Sequence, residues 1–283
     1  MKPGLRRVQE FTVESWTHLQ EILSRLQNAR DQLFAEHGFA SKLLYRGQPS
    51  ISFKLETTLE RFFDTELTFS HYYEFAYSTK ARIETFTDKE WNIPHPSEIH
   101  PLLNEWYSPV SCIPSTIYPY LVYLRHHGFP SPLLDWSYSP YVALFFALRN
   151  MIEPDDAAIY IFLRQVGNGY SMPIHTRYIV NSPDDTKLEK RHMLQQSSYT
   201  VCMYYPKGGE ATLSRHEDFI RDESNRLQDQ KWKIVIPSRF REKFLTELNR
   251  MNINAYSLFG SIDSLIEASA FNEKPTLTDR NQE

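Results

Sequence analysis

The stretch Leu124–Asn150, LRHHGFPSPLLDWSYSPYVALFFALRN, sets a polar, turn-forming run directly against an almost pure apolar helix. Ser139 followed by Pro140 is a strong helix start. The hydroxyl can cap free N–H groups, and proline costs nothing at the first helical position, where its missing N–H would be unpaired anyway. The helix this predicts runs to about Asn150, and YVALFFAL is apolar all round, so it belongs in the middle of a core. The polar residues before it, His126, His127, Asp135, Ser137, Tyr138 and Ser139, are therefore expected in one short loop pinned to a rigid scaffold. Binding and catalytic groups tend to gather in such loops.

Upstream of the loop, Pro119 to His127 reads as a helix with its proline in the first turn, closed by Gly128. Ser15 can cap another helix, whose apolar positions Leu19, Ile22, Leu23, Leu26, Ala29 and Leu33 follow the spacing of one buried face, and Gly38 ends it. Lys42–Arg46, KLLYR, lies between Gly38 and the breaker run Gly47, Gln48, Pro49, Ser50, which suits a buried strand with Arg46 at its end. Thr57 to Trp91 lacks Gly and Pro and reads as mostly helical, with breaks near Asp64 and Thr87. Prolines recurring from Pro94 to Pro119 forbid a long helix there.

Downstream, Ala157–Leu163, Tyr199–Tyr205 and Lys231–Ile236 read as strands, and Ser238 opens a helix to about Asn252. The polar residues from Lys274 read as frayed. This mixed order of strands and helices, not strictly alternating, points to an α+β fold. The organisation expected is an N-terminal helix (1–40) packing on one large domain (41–270), with a flexible tail (271–283).

Composition narrows the function classes. With 35 acidic and 31 basic residues and a net charge of −4, no global basic field recruits nucleic acid. The two cysteines, Cys112 and Cys202, make neither a disulfide framework nor a C-x-x-C pair. MKPGLRRVQEF has no apolar stretch after its basic residues, and no apolar run reaches membrane-spanning length. A soluble cytoplasmic protein is the reading, with no membrane partner and no metal.

Arg46 leads the chemistry-bearing candidates, because a guanidinium stays charged when partly buried and its planar fork fits phosphate or carboxylate. Gly47 would let a ligand approach the backbone. The competing reading pairs Arg46 with an internal carboxylate such as Asp135. Asp135 itself, between the apolar pair Leu133 and Leu134 and Trp136, must find a donor, either in a turn or on a ligand. His126 suits dipole capping at a helix end, and His127 suits either capping or ligand contact. Ser137 and Ser139, with the free N–H groups of the following helix, form an anion or ribose site, although capping alone accounts for Ser139. No Walker A run, G-x-G-x-x-G or G-x-S-x-G elbow is present.

Two of these segments, YRGQ at Tyr45–Gln48 and HHGFPSPLLDWSYSPYVALFFA, resemble the hallmark motifs of the FRG domain family. RHMLQQSSYTV from Arg191 and IVIPSRFREKFLTELNRMNINAYSLFGSIDSL are similar to its later segments, so the resemblance spans roughly Leu43 to Leu265. The chain departs from the family pattern at Ser131 and Pro132, where threonine and arginine are usual, at Ser197, and at Gly260, Ser261 and Ser264.

A weaker similarity, to ADP-ribosyltransferases, implies a mixed, mainly antiparallel sheet core with surrounding helices and NAD as the substrate. It would place Tyr45, Arg46, Gly47, Gln48 and His127 around the nucleotide, with Ser137 and Ser139 ordering the nicotinamide pocket and Trp136 or Tyr138 stacking on the ring. Arg46 and Asp135 would be the catalytic pair. Gln195 and Gln196 stand where the transferases carry a glutamate, which leaves Asp135, Glu189, Glu210 or Asp263 to supply negative charge. The implied activity is cleavage or transfer of ADP-ribose, to a protein or nucleic-acid acceptor the sequence does not name, in a bacterial toxin or phage-defence setting. The alternative is a non-catalytic ligand- or partner-binding domain using the same cleft.

Overall fold

The structure, a computed structural model, describes residues 9–99, 113–167, 177–181, 188–207, 209–219 and 228–280. Much of the proline-rich stretch expected between Pro94 and Pro119 lies outside them. The chain begins with β1 (Gln9–Thr12) and α1 (Trp16–His37). Ser15 caps α1 by accepting from the His18 N–H at 3.0 Å, and Gly38 ends it in the left-handed conformation at φ 75°. Next come β2 (Leu44–Gln48), α2 (Thr58–Phe62), α3 (Phe69–Tyr77) and α4 (Lys80–Thr87). The helices break close to Asp64 and Thr87, as their sequence implied.

The opening stretch becomes α5 (Tyr118–His126), β3 (Leu134–Ser137) and α6 (Pro140–Arg149), followed by β4 (Ala157–Leu163). The second half supplies β5 (Tyr178–Asn181), α7 (Lys190–Leu194), β6 (Ser197–Tyr204), β7 (Thr212–Leu213), α8 (His216–Phe219) and β8 (Gln230–Ile236). After a 3-10 turn at Ser238–Phe240 come α9 (Arg241–Arg250), α10 (Ala255–Phe259) and α11 (Ile262–Arg280). The backbone of α11 thus stays helical beyond residue 271, where a tail was expected.

The fold is mixed α+β around one open sheet of order β1-β8-β4-β2-β3-β6-β5, with β7 paired to β6. Every pairing is antiparallel except β1 with β8. Side chains on a strand alternate between faces, and β4 at the centre shows why the molecule has two cores. Ala158, Tyr160 and Phe162 enter the core packed by α3 and α5, while Ala157, Ile159, Ile161 and Leu163 enter the core packed by α1, α6 and α9. All seven β4 residues are buried, which explains their unbroken apolar run.

Two expectations need correcting. β2 does not stop at Arg46 but continues through Gly47 and Gln48, all paired with β4. Gly47 is a packing site for a helix, not a breaker: a Cβ there would lie 1.9 Å from the Ala143 carbonyl oxygen and 2.7 Å from the Ala147 nitrogen of α6. Likewise the polar run is not all loop. Leu134, Asp135, Trp136 and Ser137 form β3, paired with β6, because Leu134 and Trp136 alternate into the core on one face and draw the run into extended backbone.

Candidate functional site

β2 and β3 are sheet neighbours that share the single register pair Tyr45 and Ser137, whereas β2 follows β4 over its whole length and β3 follows β6 over its whole length. The two strands therefore part beyond that pair, and a cavity of about 430 Å³ opens where they separate. Its walls are Tyr45, Arg46, Gly47 and Gln48 of β2, Asp135, Trp136 and Ser137 of β3, Arg125 and His126 of α5, Phe146 of α6, Arg191 of α7, and Gln195 and Tyr199 before and on β6. Its size suits a small-molecule ligand. A larger concavity of about 550 Å³ lies along α1, but one helix supplies all its lining, so it is a surface groove without convergent chemistry.

The centre of the cleft is an ion cluster. Arg46 donates from Nη1 to the Asp135 carbonyl oxygen at 2.8 Å, bridging the parted strands, and the same nitrogen lies 3.6 Å from Asp135 Oδ2. Arg125 Nη2 is bonded to that same Oδ2. The internal ion pair that the sequence raised as an alternative for Arg46 is thus present, with Arg125 as the closer partner of Asp135. Arg191 completes the set and lies 4.7 Å from the Phe259 ring centroid.

Burial pulls Arg46 and Arg191 below the usual arginine pKa, with the Asp135 carboxylate opposing it in both cases. A guanidinium stays charged through such a shift. Three cations thus line the cleft, against Asp135 as the one carboxylate among its described residues. The Nε atoms of Arg46, Arg125 and Arg191 are each buried without an acceptor among the described residues.

A second group backs the cleft. His126 Nε2 is 2.7 Å from the Tyr199 hydroxyl, and its Nδ1 is 3.5 Å from Glu189 Oε2. Burial lowers the His126 pKa, partly countered by Glu189, and so favours neutral imidazole. Burial, with Asp135 adding to it, raises that of the Tyr199 phenol, which stays protonated.

Several expected site residues are elsewhere. His127 packs its ring at a tilt against Tyr123, with centroids 4.3 Å apart, is exposed, and does not line the cleft; its neighbour His126 does. Ser139 caps α6 by accepting from the Val142 N–H at 3.3 Å. Tyr138 and Gln196 pair through their backbones at 2.9 Å, and Lys42 covers the Tyr138 ring at 4.8 Å. Trp136 does line the cleft, but its ring is buried against Phe162, with Nε1 donating to Thr200 Oγ1 at 2.8 Å.

Ser137 and Gln195 remain at the cleft but largely serve the scaffold. Ser137 Oγ donates to the Gln195 carbonyl at 2.8 Å and accepts from the Ser139 N–H, and the Gln195 amide donates to the Leu258 carbonyl. Gln48 is similarly engaged with the Lys54 carbonyl, and burial pushes the Tyr45 hydroxyl up to about 12. Glu210 and Asp263 are exposed and do not line the cleft. Neither does Pro132, at the family's usual arginine position; it borders a smaller hollow beside Glu60.

Arg125, Arg191 and Tyr199 were absent from the sequence-based site. Both arginines stand inside quoted motifs, LRHHG and RHMLQQ, yet nothing local shows that a helix end and a short helix far along the chain meet at one strand gap.

Residues 41–156 match the family model of the FRG domain. The chain carries an FRG domain. That span holds β2, α5, β3 and α6, and so Arg46, Arg125, His126 and Asp135, while Arg191, Gln195 and Tyr199 of the FRG cleft come from the chain beyond it. No curated protein and no solved structure matches the chain, so no structural neighbour stands behind an ADP-ribosyltransferase-like fold. Among the described residues no helix is long and apolar enough to cross a membrane, and no group of His, Cys, Asp and Glu is placed to hold a metal ion.

Proposed function

We propose that the FRG cleft binds the phosphate groups of a nucleotide, NAD or a close relative, through Arg46, Arg125 and Arg191. The observation that carries this reading is the excess of three guanidiniums over one carboxylate in the lining of the cleft. An anion offsets that excess of positive charge and takes charge-assisted hydrogen bonds from the guanidinium forks. Binding without turnover is favoured, because an oxocarbenium-like transition state needs uncompensated negative charge beside the reacting carbon, and the charge of Asp135 is offset by two arginines.

Titration calorimetry with NAD and ADP-ribose tests the reading. The wild-type protein should bind at least one of them, and Arg125→Ala or Arg191→Ala should weaken binding about tenfold or more. Among the described residues Arg191 makes no hydrogen bond across the strand gap, so its variant leaves the sheet intact. Absence of binding by wild type, or unchanged affinity in both variants, overturns the proposal. Incubation with NAD should release no nicotinamide; release that depends on Asp135 would establish cleavage instead.

A further inference from the structure

We propose that Asp135 makes the cleft selective for a ligand bearing a neutral hydroxyl beside its phosphate, the combination that a ribonucleotide presents; this rests on the phosphate-binding reading above. Asp135 is placed unlike a buried structural carboxylate. Its side chain is 39% exposed and lines the cavity, and Oδ2 is the oxygen nearest Arg46 and Arg125. Oδ1 has no hydrogen-bond partner among the described residues.

A carboxylate oxygen can only accept, and one that a bound ligand cuts off from water must find its donor on that ligand. A phosphate held by the surrounding guanidiniums would sit close to Asp135 and repel it unless the neighbouring part of the ligand donates a hydrogen bond. An ammonium could donate, but three guanidiniums around it oppose a further cation. A neutral hydroxyl satisfies the oxygen without that penalty. Ribose carries such hydroxyls a few atoms from its phosphate, and the cavity of about 430 Å³ has room for the sugar.

Calorimetry on the full chain with three probes, ADP, 2′,3′-dideoxy-ADP and inorganic pyrophosphate, tests the inference. ADP should bind wild type about tenfold more tightly than its dideoxy form, the scale of one hydrogen bond to a charged group. Asp135→Ala should bring the two nucleotides to within about twofold while pyrophosphate binds at least as tightly as to wild type, because Arg46 and Arg125 lose their internal counter-ion. Opposite effects on two ligands are not what a misfolded variant gives, and Asp135→Asn offers a second variant of nearly the same volume. Equal affinity of wild type for ADP and dideoxy-ADP, discrimination retained in Asp135→Ala, or pyrophosphate binding without ADP binding each overturns the inference while leaving the phosphate reading standing. Failure of all three probes to bind wild type removes both.

Discussion

His126 and His127 are adjacent in sequence, yet one is buried in the cleft wall between Tyr199 and Glu189 and the other is exposed against Tyr123. Neighbours near a helix end point in different directions, and which direction meets the cleft depends on the packing of α5 rather than on the pair itself. The burial of His126 has a consequence for stability. Its pKa is lowered from 6.5 by desolvation and by Arg191, with Glu189 and Asp135 opposing, so the unfolded chain binds the proton more readily than the folded one. The stability linked to this group is therefore complete above about pH 6.5 and is lost as pH falls from there toward the folded pKa. Melting temperatures of wild type and His126→Gln, recorded from pH 8 to 5, should converge or cross as wild type loses more; a constant difference across the range would contradict this. Ser139, by contrast, behaves as its local sequence says. Ser139→Ala should cost about 1 kcal/mol in denaturant unfolding through loss of the α6 cap, with nucleotide affinity unchanged; a loss of affinity at full stability would return Ser139 to the ligand site.

At the scale of elements, α6 was legible because its apolar sequence, capping serine and N1 proline all agree. The strands flanking it were less so. Gly47 looks like a breaker in sequence, and only the contact with the α6 backbone explains a glycine inside β2. Gly47→Ala should destabilise the fold by about 3 kcal/mol or more, since the new methyl must displace helix backbone rather than a flexible side chain; a melting curve within a degree of wild type would show that α6 can move aside. β3 reads as loop in the sequence because its alternation is only four residues long and half of it is polar. The parting of β2 from β3 has no local signal at all, and it is what makes room for a ligand.

For the whole molecule, charge is local rather than global. The chain carries a net charge of −4, yet the cleft gathers three arginines around one aspartate. Nucleotide affinity should therefore fall as sodium chloride rises from 50 to 500 mM, roughly severalfold rather than by orders of magnitude, because partly buried ion contacts are screened less than exposed ones; affinity independent of salt in calorimetry would argue against guanidinium–phosphate binding. By itself the sequence determined the α+β class, the caps of α1 and α6, the strand β4 and the motifs of the FRG domain. These follow from local propensity and from periodicities that a single segment carries. Tertiary structure alone decided which polar residues meet. Arg46, Arg125, Asp135 and Arg191 converge because β2 and β3 separate between helices from distant parts of the chain, and the cost of leaving a buried charge unpaired acts through space, not along the sequence.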